Sequence, residues 1–289
     1  MSNVTVCATQ MACSWDLDSN LDCAEHLVRS AAGQGGQIIL LQELFAAPYF
    51  CSELNDRHFE LAQNFAASSL LKRFADLARE LSVVLPISYF ERDGDKYYNS
   101  LSVADADGRL LGNYRKSHIP SGPGYQETYY FRPGDSGFMV WDTAYACIGV
   151  GICWDQWFPE AARSMVLQGA ELLLYPTAIG SEPEEPQLDS SGHWQRVMQG
   201  HAGANLVPVI ASNRIGSETN GGCQLYFYGS SFICDHTGAM LQTAGRKAEQ
   251  ILVDTIDLDA TAEARERWGV FQSRRPDLYN ELTNTETPN

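Results

Sequence analysis

No two of the eight cysteines stand in a Cys-x-x-Cys pair, and no apolar run approaches the length that spans a bilayer. The first absence makes a structural zinc site improbable, and the second argues against a helical membrane anchor. The opening stretch MSNVTVCATQMACSWD lacks the basic region, apolar stretch and small-residue cleavage site of a secretory leader. An unexported, cytoplasmic protein with reduced thiols is therefore expected. Cys7, Cys147 and Cys234 lie in apolar, strand-like runs and read as buried thiols. Basic residues are scarce as well: 20 Lys and Arg face 36 Asp and Glu, a formal charge of −16. That balance argues against nucleic acid as a partner, because affinity for phosphate backbones comes from Lys and Arg. An acidic field attracts cationic small molecules instead, although solubility alone also accounts for it.

What is present is core material. Hydrophobic residues make up 44% of the 289 and charged residues 19%, enough to build a single domain over 1–289. Residues 4–10 and 37–42 are β-rich and flank a helical pattern at 20–32, so the chain opens β–α–β. A second helical pattern at 69–81 leads into a strand at 83–90. Turn residues at 92–95 and 105–108 then separate strand-like runs ending at 98–103 and 109–115, which predicts antiparallel hairpins within the sheet. The units 146–152, 159–169 and 172–175 repeat the β–α–β pattern. A helix near 193–205 and strands at 207–212, 229–235, 239–243 and 251–256 follow, with a charged helix after the last. Residues 117–137 form a Gly- and Pro-rich loop of a length that usually signals function.

Three reactive residues stand at the ends of three strands. Cys153 follows CIGVGI where a helix is about to begin, and helix-start N–H groups lower a thiol's pKa. Gly149 and Gly151 let neighbouring backbone approach. Glu43 is the first acidic residue after QIILLQ, and Lys116 closes RLLGNYRK before the long loop. Singly, each has a bland alternative: Cys153 as a structural thiol, Glu43 as a solvated strand end. Together they form a working set. A carboxylate can move a proton between thiol and leaving amine while an ammonium stabilises an oxyanion, and no histidine is required. Of the six histidines only His118 lies near one of these ends, where packing in the loop is the simpler role.

The segments LLQELF around Glu43, GNYRKSHIP around Lys116 and GVGICWDQWFPEAAR around Cys153 resemble the three signature regions of the nitrilase superfamily, in the same order and at similar separations. The resemblance extends over most of the chain. It implies an α-β-β-α sandwich of two mixed sheets with helices outside, and hydrolysis of a nitrile, amide or carbamoyl amine. By resemblance Glu43 is the general base and acid, Lys116 the oxyanion stabiliser and Cys153 the thioester-forming nucleophile. Glu127, in GPGYQETYYF, resembles an additional family glutamate that orients lysine or substrate. Trp154 follows the nucleophile, so its backbone N–H is a candidate second oxyanion donor. No metal or organic cofactor is implied, and a homo-oligomer with a dimer as its minimal unit is. The accessory segments resemble those of members acting on a small cationic ureido-amine. Tyr49, Phe50, Tyr125, Tyr129, Tyr130, Trp154 and Trp157 are then candidates to enclose an alkyl chain, with Glu182 in the SEP segment as the counter-charge for its amine. Other N-carbamoyl amines, N-carbamoyl amino acids and aliphatic amides remain alternative substrates. A catalytically silent binding protein or a Cys-His transferase using His118 are the readings outside this class.

Overall fold

The period-two pattern of the first strand sends its side chains into two different cores. In the computed structural model, which describes residues 2–284, β1 (Asn3–Gln10) places Val4, Val6 and Ala8 on one face and Cys7 on the other. Helix α1 (Leu17–Gly33) starts at Asp16, whose carboxylate accepts from the Ser19 N–H at 3.1 Å and so satisfies an otherwise orphaned donor. Next come β2 (Ile38–Leu40), a stretch of short 3-10 turns, and α2 (Ser69–Leu81). Ser68 caps α2 through the Leu71 N–H at 3.1 Å, and Leu70, Phe74 and Leu77 form its buried face.

The hairpin strands follow as β3 (Leu85–Asp93), β4 (Lys96–Ala104) and β5 (Leu110–Arg115), and then the one-turn α3 (Glu127–Tyr130). The second half holds β6 (Val140–Asp142), β7 (Cys147–Val150), α4 (Pro159–Leu167), β8 (Leu172–Pro176), α5 (Ser191–Asn205) and β9 (Val209–Ser212). It ends with β10 (Ser217–Asn220), β11 (Cys223–Tyr226), β12 (Phe232–Cys234), β13 (Met240–Thr243), β14 (Gln250–Asp257) and α6 (Leu258–Trp268).

Two sheets result. In one, β14-β1-β2 and β3-β4-β5 are joined by a parallel bridge between Ile38 and Val84. The other runs β13-β12-β9-β8-β7-β6, with β7, β8 and β9 parallel and antiparallel strands at the edges. Val6, Leu40, Leu101, Ile148, Leu174, Ile210 and Ile256 interdigitate between the sheets. On the outer side of the first sheet, Leu27 and Val28 of α1 and Phe74 of α2 meet Ile39 and Ile87; on the outer side of the second, Met165 of α4 and Trp194 and Met198 of α5 meet Leu173 and Phe232. These layers are the α-β-β-α sandwich. Burying each such Leu, Ile or Phe stabilises the fold by about 1.5–3 kcal/mol. Among the described residues no helix is long and apolar enough to cross a membrane.

Two departures from the expected elements have local causes. Strand β6 is three residues long, too short for a period to register. The β10–β11 hairpin, SETN and CQLY, buries alternate residues that are mostly polar, so hydrophobic patterning is silent there. The spaces beside Gly149 and Gly151 are filled by side chains rather than backbone: an added Cβ would meet Met165 Cβ at 2.9 Å and Tyr175 Cε1 at 2.8 Å, respectively.

Candidate active site

Carboxyl ends of parallel and hairpin strands bring the candidate groups to one rim. Glu43 lies three residues past β2, Lys116 directly past β5, and Cys153 three residues past β7. Glu43, Lys116 and Glu127 are all buried, at 0%, 1% and 0% exposure. The Lys116 Nζ donates to Glu43 Oε1 at 2.8 Å and to both Glu127 oxygens at 2.9 and 2.7 Å. Burial opposes the ammonium charge, but the carboxylates of Glu127 and Glu43 outweigh it and hold Lys116 well above the usual lysine range. Burial and the neighbouring Glu43 raise Glu127, while Lys116 and the Tyr49 hydroxyl, donating at 2.7 Å, pull it back. Asn99 donates to Glu43 Oε1 at 2.7 Å, so that oxygen is committed twice. Glu43 Oε2 is buried without a hydrogen-bond partner, leaving one acceptor in reserve.

Cys153 opens a 3-10 turn (Cys153–Trp157) with φ at 42°, a left-handed value that a side chain adopts only when its surroundings enforce it. Asp155 supplies that enforcement. Fully buried, it accepts from the Ile152 N–H at 2.9 Å, the Tyr114 hydroxyl at 2.7 Å, and both the backbone N–H and ring Nδ1 of His118 at 3.0 and 2.7 Å. The Cys153 turn is thereby fastened to the strand end that carries Lys116. His118 stacks on Phe158 at 3.5 Å between ring centroids and is engaged by Asp155, a packing role in the loop.

One expectation is corrected here. The start of a helix does not lower the Cys153 thiol: burial and the Glu43 carboxylate push it well above its ordinary value, against smaller lowering by Lys116 and an Ala178 N–H. A 3-10 turn of five residues offers little dipole, and desolvation dominates. A thiol raised in this way is a poor nucleophile until a base takes its proton.

The sulfur opens into a cleft of about 510 Å³. Tyr49, Glu127, Tyr125, Trp154, Trp157 and Glu182 all line it, with Cys153 among them. Of the residues singled out from sequence for substrate contact, Tyr49, Tyr125, Trp154, Trp157 and Glu182 border the same cavity. Phe50, Tyr129 and Tyr130 do not. Phe50 and Tyr130 pack edge to face at 5.1 Å in an aromatic cluster that also takes in Tyr49, and Tyr129 is exposed, with its hydroxyl donating to Asp56. Their apolar bulk was legible, but which way each ring points is decided by the 3-10 turns after residue 50.

Several supporting residues carry no signal in the sequence. Asn99 sits inside β4, and Ser88, whose Oγ accepts from the Leu44 N–H at 3.0 Å, sits inside β3. Asp155 could have been suspected as an acid beside the cysteine. Gly134 also supports the site from behind: its N–H donates to the Lys116 carbonyl at 2.8 Å, and a Cβ there would lie 2.0 Å from the Arg115 carbonyl oxygen. Gly134→Ala must therefore displace backbone next to Lys116. A melting-temperature drop equivalent to about 1–3 kcal/mol is expected, together with at least a tenfold lower kcat, measured by thermal denaturation and product release. Unchanged values for both would show that the loop absorbs the methyl group.

The carbon-nitrogen hydrolase family model matches residues 4–266. An N-carbamoylputrescine amidase from Solanum lycopersicum is 54% identical over 290 residues, covering 99% of this chain and 97% of that protein. A citrullinase from Francisella tularensis is 52% identical, covering 98% and 99%. The crystal structure of a carbon-nitrogen hydrolase from Helicobacter pylori G27 superposes with a TM-score of 0.92 at 38% identity, covering 99% of this chain and 100% of that one. With a matched family model, full-length relatives and a shared sandwich, this chain belongs to the carbon-nitrogen hydrolases, the nitrilase superfamily.

Proposed function

We propose that this chain is a cysteine amidohydrolase that converts N-carbamoylputrescine to putrescine, carbon dioxide and ammonia, with Cys153 as nucleophile, Glu43 as proton carrier, Lys116 as oxyanion stabiliser and Glu127 orienting Lys116. The observation that carries the reading is the cleft itself. It joins a thiol, beside the Glu43–Lys116–Glu127 cluster, to a carboxylate, Glu182, that has no side-chain partner among the described residues. No Lys or Arg is among its lining residues.

Attack begins when the unpartnered Glu43 Oε2 takes the Cys153 proton as sulfur bonds to the ureido carbon. The carbonyl oxygen gains a negative charge, which Lys116 and the Trp154 backbone N–H stabilise. One C–N bond then breaks, and Glu43 returns the proton to the departing amine. Water, deprotonated by the same carboxylate, displaces sulfur, which takes that proton back, and the carbamate decomposes to carbon dioxide and putrescine where ammonia left first, or to carbon dioxide and ammonia where putrescine did. The aromatic walls suit a four-carbon chain, with Glu182 facing its terminal ammonium. Burial and the nearby Glu185 raise Glu182, a penalty that a bound cation relieves.

The 52% identity to a citrullinase supports a second reading, hydrolysis of a ureido amino acid. Citrulline adds an α-carboxylate, for which the cleft lining offers no Lys or Arg and only the His193 imidazole. The cationic substrate is therefore preferred. Ammonia release from N-carbamoylputrescine, citrulline, N-carbamoyl amino acids, simple amides and nitriles decides between them, and a higher kcat/KM for citrulline would overturn the choice.

Glu182→Gln tests the amine contact. A half-buried carboxylate–ammonium pair is screened, so the expected rise in KM for N-carbamoylputrescine is about tenfold rather than the full value of a buried pair. N-carbamoylbutylamine, which lacks the ammonium, should change less than about twofold. Equal losses for both would indicate loop damage, and no loss would move the contact to another acid. Cytoplasmic location and assembly as a homo-oligomer built from dimers belong to the same proposal. The exposed apolar side chains of Trp268, Leu278 and Leu282 support the assembly, which light scattering tests.

A further inference from the structure

Arg214 is a fully buried guanidinium two residues past β9, on the sheet opposite the one that carries Glu43. Its Nη2 donates to the backbone carbonyls of Glu43 and Leu44, both at 2.9 Å. Its Nη1 donates to the Ala47 carbonyl at 3.1 Å and to Glu218 Oε1 at 2.8 Å. Three carbonyls of one turn thus converge on one planar fork, a geometry that a lysine ammonium cannot reproduce. The turn needs holding: Leu44 has φ at 47°, a left-handed value whose strain its surroundings must offset.

We propose that Arg214 is a positioning residue for Glu43: by fastening the carbonyls of residues 43–47 it sets the direction in which the Glu43 carboxylate leaves the backbone, and with it the aim of Oε2 at Cys153. The inference rests on Glu43 being the base. Hydrogen bonds close a ring around this arrangement. Glu218 accepts from both Arg214 and the Tyr49 N–H, and the Tyr49 hydroxyl donates to Glu127. Glu127 accepts from Lys116, and Lys116 donates to the Glu43 carboxylate. Backbone and side chain of Glu43 are therefore held from opposite ends of one circuit. A displacement of about 1 Å at a reacting group can cost on the order of a hundredfold in rate, so a turn left to fluctuate is enough to impair catalysis.

The test is a double-mutant cycle with two readouts, kcat and the rate of Cys153 alkylation by iodoacetamide at neutral pH, followed by intact mass. Arg214→Lys is expected to lower both by about ten- to a hundredfold while KM stays within about twofold. In a Glu43→Gln background the same change should cost nothing further, because there is no base left to aim. A multiplicative loss in the double variant, or wild-type rates in Arg214→Lys alone, overturns the proposal. Wild-type rates in Glu43→Gln alone refute the base assignment, an outcome visible before Arg214 is touched. If Arg214→Lys does not fold, Ser88→Ala takes its place. It removes the acceptor of the Leu44 N–H on the other side of the turn, and the same non-additivity with Glu43→Gln is required.

Discussion

Cys153→Ala eliminates turnover and leaves the protein folded. Loss of the nucleophile is expected to lower kcat by at least about ten-thousandfold, since no other group in the cleft can form the covalent intermediate. Fold retention follows from what the side chain contributes. The backbone at 153 is held by Asp155 through the Ile152 N–H, not by the sulfur, and alanine tolerates the φ of 42° no worse than cysteine does. Ammonia release measures the first outcome, and circular dichroism with thermal denaturation the second. Covalent trapping separates this cysteine from the other seven. Burial pushes Cys51 far up as well, but Cys51 packs in the aromatic cluster beneath the site rather than lining the cleft. Trapped wild-type protein should carry its adduct on Cys153; an adduct confined to Cys51 or Cys223 would sink the assignment. Burial raises the Cys153 thiol and Glu43 is the base proposed to take its proton, so labelling at neutral pH should slow in Glu43→Gln, although the substitution also removes a charge that raises the thiol, and recover as alkali replaces the missing base.

Lys116→Ala has a double effect. Loss of the oxyanion donor alone costs about a hundred- to a thousandfold in kcat. The same side chain is also the only cation bonded to the carboxylates of Glu43 and Glu127 among the described residues. Removing it leaves two buried carboxyl groups uncompensated, a change that typically destabilises by about 3–5 kcal/mol. One of them relieves this by taking up a proton, which gives the variant a pH signature. Glu127 is already raised by burial and Glu43, and deletion of Lys116 removes the larger of the two influences that lower it, leaving only the Tyr49 hydroxyl. A carboxyl group whose folded pKa lies above its unfolded value binds more protons in the folded state. Its contribution to stability is present at acid pH and lost as the pH rises through the folded pKa. The melting temperature of Lys116→Ala should therefore fall, relative to the parent, between mildly acidic and neutral pH. A variant with parental kcat would show that the ammonium is not at the oxyanion, and one with a parental, pH-independent stability gap would show that the carboxylates are not coupled through it.

Helix α2 illustrates what was legible in the chain. Its predicted and observed bounds coincide, because the Leu70, Phe74 and Leu77 face and the Ser68 cap are local signals. Most of the order of strands and helices, and the delivery of Glu43, Lys116 and Cys153 to strand ends, were readable for the same reason: apolar periodicity locates a strand's end to within a few residues, with Lys116 directly past β5 and Glu43 and Cys153 three residues past β2 and β7. The aromatic residues were not separable in this way. Tyr49 faces the cleft while its neighbour Phe50 faces the cluster behind, a division set by one 3-10 turn.

The sequence by itself thus determined the succession of strands and helices, the strand-end placement of three reactive residue types and an acidic character suited to a cationic ligand, because local patterning and composition carry that information; the sandwich of layers was implied by the family resemblance alone. Only the tertiary structure decided that Glu43 is held by Lys116 and Asn99 at its carboxylate and by Arg214 at its backbone, and that the thiol is raised rather than lowered. Those outcomes depend on contacts across as many as 171 residues of chain and on how completely each group leaves water. Desolvation and Coulomb interaction are properties of the assembled site, and no local window of residues contains them.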